Sequence, residues 1–81
     1  MNYDTQSSEN SIPLCPTGRY QHYKGLFYQV LHFARHSETC EWLVVYQCLY
    51  DDFSIWVRPI KMFMEMIDHE GQIQPRFKWI E

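Results

Sequence analysis

The chain is 81 residues long, which is enough for one domain with a single core. Its formal net charge of −3 at pH 7 disfavours a nucleic-acid binder, because such proteins usually carry a basic face. Aromatic residues make up 17% of the chain, more than a disordered protein carries, and no apolar run approaches the roughly 20 residues that span a bilayer. Three cysteines, an odd number, fit reduced thiols better than a disulfide framework, so we predict a soluble cytoplasmic protein without a membrane segment.

Residues 1–16 differ in composition from the rest of the chain. They are rich in Ser, Asn and Gln and offer little apolar surface to offset the entropy of ordering. We therefore predict a flexible N-terminal tail over residues 1–16 and a folded domain over residues 17–81. Ile12 and Leu14 are the tail side chains able to dock on that domain.

The domain has the pattern of β-strands separated by short turns. Runs rich in β-branched and aromatic residues predict strands at 19–23, 26–36, 42–50, 55–59, 63–68 and 73–80. Lys24-Gly25 and Glu70-Gly71 are turn sequences, since glycine tolerates the positive φ that tight turns require. Pro59 has no amide hydrogen for a strand ladder, and the residues after it have room for a single 3₁₀ turn. The pattern predicts an all-β antiparallel fold of five or six strands.

The register of the three central runs follows from the positions of their turns. With a first turn centred on Thr39, Ala34 lies opposite Val44. With a second turn in the middle of the DDFS segment, Cys48 lies opposite Val57. One face then carries mostly small or β-branched side chains: Val30, His32, Ala34, Val44, Tyr46, Cys48, Ile55 and Val57. Such side chains suit the tapered interior of a small barrel, so we predict a buried Val44, a buried Cys48 and a packed His32.

The opposite face of these strands is also apolar. It carries Phe27, Leu31, Phe33, Leu43, Val45, Leu49 and Trp56. A soluble monomer rarely leaves so large an apolar area open, so either the last strand or a second copy of the chain covers it. We expect the last strand to do so, because Phe77 and Trp79 lie on one face of it and supply large areas. Trp79 is then buried; the second copy would instead make a homodimer.

With these elements laid out, the chain resembles the bacterial family called domain of unknown function 1653. The matching segments are GRYQHYKG (18–25), YQVL (28–31), ARHSET (34–39), LVVY (43–46), LY (49–50), WVRP (56–59), MF (62–63) and PRF (75–77). They occur in the family's order over residues 18–80. The resemblance implies a small SH3-like antiparallel β-barrel, here with one 3₁₀ turn, and no agreed activity. The family usually has a glycine where this chain reads DDFS (51–54), and a small residue at the position of His32.

The ARHSET segment is the densest polar cluster. Its Arg35, His36 and Glu38 sit at a strand end and turn, where binding residues concentrate. An enzyme would need His36 to activate Ser37 or Cys40, with a carboxylate such as Glu38 behind it. Neighbouring residues on a strand point to opposite faces, so His36 and Ser37 are poorly placed for this. A small hydrolase or transferase using His36 and Glu38 is therefore the alternative hypothesis, beside a plain turn capped by its hydroxyl side chains.

Basic and aromatic residues are interleaved at 19–24, 56–58 and 76–79. Such clusters hold single-stranded nucleic acid in some small barrels, but aromatic residues more often form the core with arginine stems at its rim. Nucleic acid is thus a disfavoured partner, and the four histidines show no zinc spacing, so we expect no metal and no cofactor. The favoured hypothesis is a non-catalytic binding module for a peptide, a nucleotide-like ligand or a partner protein. Its candidate site residues are His22, Lys24, Arg35, His36, Glu38, Trp56 and Arg58.

Overall fold

The computed structural model describes residues 15–81, and the predictions for the first fourteen residues of the tail lie outside the described part. Seven strands and one helical turn follow in chain order: β1 (Gly18–His22), β2 (Phe27–Arg35), β3 (Trp42–Cys48), β4 (Ile55–Pro59), α1 (Ile60–Phe63), β5 (Met66–His69), β6 (Gln72–Pro75) and β7 (Phe77–Trp79). All strand pairings are antiparallel, as predicted, and the fold is mostly β with one helical turn. The count is seven rather than five or six, because the last predicted strand divides at Arg76 into β6 and β7.

The helical turn α1 differs from the predicted 3₁₀ turn. The amide of Met64 donates to the carbonyl oxygen of Ile60 at 2.9 Å, which is the i to i−4 bond of an α-helix. Pro59 precedes the turn with an extended backbone, φ −55° and ψ 138°, and its φ is the one that the proline ring imposes. The part of the chain that the structure describes contains no helix with the length and apolarity that a membrane crossing requires.

The strands form an open sheet rather than a closed barrel. Five of them pair in the order β4-β3-β2-β1-β7, and β5 and β6 form a separate two-stranded sheet. A closed barrel would require β4 and β7 to be joined, but the hairpin of β5 and β6 pairs only with itself among the described residues. The predicted SH3-like barrel is therefore wrong in its closure, and β4 and β7 are free edges.

The core lies on one side of the five-stranded sheet, termed the inner face; the other side is the outer face. Its buried apolar residues are Cys15, Tyr20, Val30, Val44, Tyr46, Cys48, Phe63 and Phe77. The burial of Val44 and Cys48 confirms the prediction for these two side chains. Ile55 and Val57, which were predicted to point inward, are more than half exposed on the outer face.

Stacked and edge-on rings form the centre of the core. The ring of Phe63 stacks on that of Phe77, with centroids 4.2 Å apart and planes 6° from parallel. Tyr20 meets Phe63 edge-on at 5.1 Å, and Tyr46 lies 5.7 Å from the same ring. Because Phe63 belongs to α1 and its partners to three strands, these contacts hold the helical turn against the inner face.

Strand β2 contains a bulge that changes the predicted register with β3. Leu31 is an extra residue without a partner on β3. Beyond it the alternation of side chains is reversed, so Phe33, rather than the predicted Ala34, lies opposite Val44 and packs against the core. His32 is exposed, so the prediction of a packed core histidine is wrong.

Strand β4 lies three positions from its predicted register on β3. Val57 was expected opposite Cys48 but lies opposite Val45. The chain reverses earlier than predicted, at Asp51, whose φ of 57° allows a tight change of direction. Because of this difference in register, Trp56 lies on the inner face rather than on the predicted outer face.

The last strand extends the sheet and does not cover its outer face. Phe77 lies opposite His22 and Trp79 opposite Tyr20, so both rings lie on one face of the strand as predicted, but that face is the inner face of the sheet. Phe77 is buried, whereas Trp79 is 50% exposed, and the prediction of a buried Trp79 is wrong. A strand that hydrogen-bonds in the plane of a sheet cannot also lie across its face.

The last two residues of the predicted tail belong to the packed body. Cys15 is buried, and its Sγ lies 2.8 Å from the hydroxyl of Tyr20. The same hydroxyl donates to the carbonyl oxygen of Pro16 at 2.6 Å. The ordered body therefore includes residues that precede Thr17.

Replacing Phe77 by alanine should destabilise the fold far more than replacing Trp79. Phe77→Ala leaves a cavity among four rings, and we expect the free energy of unfolding to fall by about 3–5 kcal/mol. Trp79→Ala should cost less than half as much, because half of that side chain already contacts water. Urea unfolding followed by circular dichroism measures both. Equal losses would contradict this expectation, because they would show that the half-exposed Trp79 stabilises the fold as much as the buried Phe77.

The three thiols should react at different rates in the native protein. Cys40 is exposed in the β2–β3 turn, whereas Cys15 and Cys48 are buried and burial raises the pKa of Cys15. We expect an aromatic disulfide reagent to modify one thiol rapidly and two only on unfolding. The variant Cys40→Ser should then lose the rapid phase; a rapid phase that persists in it would contradict the assigned burial.

Candidate functional site

An open cleft lies on the inner face where β2, β3 and β4 approach the β3–β4 connection. We term it the Trp56 cleft. Its volume is about 320 Å³, and its walls are Tyr28, Tyr46, Cys48, Tyr50, Asp51, Asp52, Ser54, Trp56 and Arg58. Four aromatic side chains, one guanidinium and two carboxylates therefore border the same space. This volume lies within the range of small-ligand sites, about 300–1,000 Å³.

Polar contacts within the β3–β4 connection hold the indole of Trp56. Its Nε1–H donates to Oγ of Ser54 at 2.7 Å, and the amide of Ser54 donates to the carboxylate of Asp52 at 3.1 Å. Hydrogen bonding from the hydroxyl and then the amide of Ser54 lowers the pKa of Asp52, so this carboxylate is ionised at neutral pH. The indole is 56% exposed yet fixed, which lowers the entropy lost when a ligand contacts it.

Two tyrosine hydroxyls meet at the wall of the cleft. The hydroxyls of Tyr28 and Tyr50 are 2.7 Å apart, and their rings meet edge-on with centroids 5.5 Å apart. The hydrogen bond to Tyr28 is the main reason that the pKa of Tyr50 is raised. The hydroxyl of Tyr50 is therefore neutral at pH 7, and a phenolic hydroxyl can donate to or accept from a ligand.

Arg58 borders the cleft from β4 and reaches over the core. Its guanidinium carbon lies 5.6 Å from the centroid of Phe77, within the range of a cation–π contact. Its Nε donates to the hydroxyl of Tyr46 at 3.5 Å, a long hydrogen bond. The guanidinium of Arg58 is thus held by the cation–π contact with Phe77 and by one weak hydrogen bond to Tyr46. Its planar group of N–H donors suits a carboxylate.

His22, like Arg58, contacts the ring of Phe77. Its imidazole meets Phe77 edge-on at 4.9 Å, and its Nδ1 accepts the amide hydrogen of Lys24 at 3.1 Å. Burial lowers the pKa of His22, and the charges of Arg76, Lys24 and Arg58 lower it further. The histidine is therefore neutral at pH 7 and lies in a positive local field.

The other predicted site residues lie at the opposite end of the sheet. The guanidinium of Arg35 lies 4.4 Å from the ring of Trp42, and its Nη1 donates to the carbonyl oxygen of Cys40 at 2.6 Å. Seven strand positions separate Arg35 from Tyr28 along β2, which is about 20 Å. Arg35 therefore does not reach the Trp56 cleft.

His36 and Glu38 form part of the β2–β3 turn. The Nδ1 atom of His36 accepts the amide hydrogens of Glu38 at 3.0 Å and Thr39 at 3.3 Å. The imidazole thus caps the turn through its own acceptor. Of the seven predicted site residues, only Trp56 and Arg58 line the cleft. His22 and Lys24 lie outside its walls, and Arg35, His36 and Glu38 lie at or beyond the far end of β2.

The sequence analysis missed seven of the nine residues of the cleft walls as site residues. They are Tyr28, Tyr46, Cys48, Tyr50, Asp51, Asp52 and Ser54. The register error placed Trp56 on the other face and so separated it from Tyr46. The spacing Asp52-x-Ser54 is typical of an Asx turn, and it could have indicated where the chain reverses.

A second cavity lies beside the end of β1. It has a volume of about 460 Å³ and is lined by Gln21, His22, Tyr23, Gln72, Gln74, Pro75 and Lys78. Three of its seven lining residues have amide side chains, and it lacks the group of four rings found in the Trp56 cleft. Within residues 15–81, no three His, Cys, Asp or Glu side chains come together as a metal site would need.

The β3–β4 connection contains two residues in the left-handed backbone region. Asp51 has φ 57° and Phe53 has φ 56°, a conformation that costs a residue with a Cβ roughly 1–2 kcal/mol. Phe53 is 52% exposed, so its ring recovers little of that energy by packing. Its backbone oxygen accepts a hydrogen bond from Gln47 Nε2 at 2.9 Å, which helps to hold the conformation.

Replacing Phe53 by glycine should stabilise the protein. We expect Phe53→Gly to raise the free energy of unfolding by about 1 kcal/mol, because glycine removes the cost of the positive φ. Leu26→Gly is the matched control, since Leu26 is a loop residue 46% exposed without a positive φ. That control should lose about 0.5–1 kcal/mol in urea unfolding. A loss in both variants would show that the Phe53 ring contributes packing that outweighs its strain.

The comparisons with known proteins agree with this architecture. Residues 18–79 match the family model described as "Protein of unknown function (DUF1653)". The crystal structure of a DUF1653 protein from Bordetella bronchiseptica is 36% identical, with a TM-score of 0.77 over 83% of this chain and 88% of that one. A search among curated proteins found no match. The resemblance noted in the sequence is therefore confirmed, and the chain belongs to the DUF1653 family.

Proposed function

We propose that the protein is a non-catalytic binding module whose Trp56 cleft receives an extended peptide segment of a partner protein. The observation that carries this proposal is that four aromatic rings and the guanidinium of Arg58 border one cleft. A guanidinium has five N–H donors, and within residues 15–81 Arg58 uses one of them in a single long hydrogen bond to Tyr46. The remaining donors are available to a ligand.

The composition of the cleft suits a peptide. Grooves lined by tyrosine and tryptophan bind extended segments, because flat rings pack against proline and aliphatic side chains at low entropic cost. Arg58 would receive a ligand carboxylate through two parallel hydrogen bonds. Asp51 and Asp52, at the rim, would favour a basic residue elsewhere in the same peptide.

The same charges make a nucleotide-like ligand less favourable. Asp51 and Asp52 lie on the wall of the cleft, and their carboxylates repel phosphate oxygens. The contacts give no support to the hydrolase or transferase alternative either, because the Nδ1 atom of His36 already accepts two backbone amide hydrogens. Peptide binding without catalysis is the function that these contacts favour.

The cytoplasm is the compartment we propose for this activity. Cys15, Cys40 and Cys48 are unpaired thiols, and Cys40 is exposed. Exposed free thiols persist best where glutathione keeps them reduced.

Selection from a random peptide library tests the proposal. The full-length protein is immobilised, phage-displayed peptides are selected, and the affinity of each synthetic peptide is measured by fluorescence anisotropy. We expect Arg58→Gln to weaken binding about tenfold or more, since a charge-assisted hydrogen bond contributes roughly 1.5–3 kcal/mol.

Arg35→Gln is the matched control, because it removes the same charge at the far end of the sheet. The affinity of this variant for the selected peptides should stay within about twofold of the wild type. That change is much smaller than the tenfold loss, about 1.4 kcal/mol, expected for Arg58→Gln. Both variants must keep the wild-type circular dichroism spectrum. Failure to select any peptide, equal binding by wild type and Arg58→Gln, or binding of adenosine monophosphate alone would each overturn the proposal.

A further inference from the structure

Strand β4 is an edge strand whose side chains are unusually apolar and exposed. It ends the five-stranded sheet, and Ile55, Trp56 and Val57 are 58%, 56% and 57% exposed. Natural edge strands usually carry a charge, a proline or a bulge within such a run, because a bare edge pairs with other chains. Pro59 blocks the far end of β4, but nothing of this kind interrupts residues 55–57.

The backbone of β4 shows which groups face outward. The amide of Cys48 donates to the carbonyl oxygen of Ser54 at 3.0 Å, and these two residues share the register of the β3–β4 ladder. Because hydrogen-bonded pairs alternate along an antiparallel ladder, Trp56 also bonds to β3. The amide and carbonyl groups of Ile55 and Val57 therefore point away from the sheet, and no described strand pairs with them.

We propose that β4 pairs antiparallel with β4 of a second copy of this chain, about a two-fold axis at Trp56. In this register Ile55 of one copy and Val57 of the second copy form a hydrogen-bonded pair. The two-fold axis generates a second, identical pair from Val57 of the first copy and Ile55 of the second. Four backbone hydrogen bonds thus use all the outward groups of residues 55 and 57. The register joins two five-stranded sheets into one continuous sheet.

In this register the side chains of β4 are complementary to those of β4 in the second copy. Ile55 meets Val57 of the second copy on the outer face, an aliphatic cross-strand pair that stabilises a sheet. Trp56 faces Trp56 of the second copy at a non-hydrogen-bonded position, where opposite side chains approach most closely. An isologous interface requires such self-complementarity, because the same patch serves both subunits.

The charges that flank β4 favour a second copy over an unrelated strand. Asp51 and Asp52 precede the strand, while Arg58 and Lys61 lie at its end and beyond it. Antiparallel pairing brings the acidic end of one copy beside the basic end of the other, at both ends of the interface. A parallel partner of the same chain would place like charges side by side.

Sedimentation velocity of the full-length protein tests this inference. We expect a concentration-dependent species with twice the 9.9 kDa mass of a single chain. The variants Ile55→Asp and Val57→Lys should each raise the dissociation constant at least about tenfold, because each places a charge against an aliphatic partner. In the double variant, Asp at 55 faces Lys at 57 of the second copy twice, so its dissociation constant should fall below that of both single variants.

The matched control is Ile73→Lys, which changes an exposed isoleucine on β6 and should leave the dissociation constant unchanged. A wild-type protein that is monomeric at every concentration would overturn the proposal and leave the edge to another kind of partner. So would a double variant weaker than either single variant, because the register about Trp56 would then be wrong. Circular dichroism of each variant separates loss of folding from loss of pairing. The sedimentation of the wild-type protein tests the proposal even if a variant fails to fold.

Discussion

The stack of Phe63 on Phe77 is the contact on which the other features of the structure depend. A helical turn of four residues has no stability of its own, so α1 is held in place by burying Phe63. Phe77 in turn belongs to a strand of three residues that pairs only with β1 within the described chain. The two rings therefore stabilise two elements that are each too short to form alone.

The same ring positions the candidate site. His22 meets Phe77 edge-on, and Arg58 lies over its face, so both side chains take their place from one buried residue. Tyr28 also meets Phe77, at 5.3 Å, and carries its hydroxyl to the wall of the cleft. The cleft is thus built partly on the core, and the β3–β4 connection supplies four of its nine wall residues. A ligand that moved Arg58 would be resisted by the packing around Phe77.

The sequence was sufficient for the strands, because each alternates apolar side chains between polar breaks. It also predicted the burial of Val44 and Cys48, since the alternation within β3 does not depend on its neighbours. The pairing between strands was harder to predict. A bulge at Leu31 and an early reversal at Asp51 are decided by backbone geometry, and each shifts a whole strand. Trp56 and Arg58 were predicted as site residues by type, but their partners in the cleft depended on that register.

The pairing of β1 with β7 has a consequence for the order in which the chain folds. Arg19 and Glu81, 62 residues apart, are joined by a side-chain ion pair and by backbone hydrogen bonds. Closing a loop of that size costs roughly 3–4 kcal/mol in chain entropy, whereas the β2–β3 and β3–β4 hairpins close over short turns. The hairpins are therefore expected to form first, and β7 joins late and brings Phe77 into the core. Until that late step the sheet lacks its central ring, so the partly folded chain holds neither α1 nor the cleft.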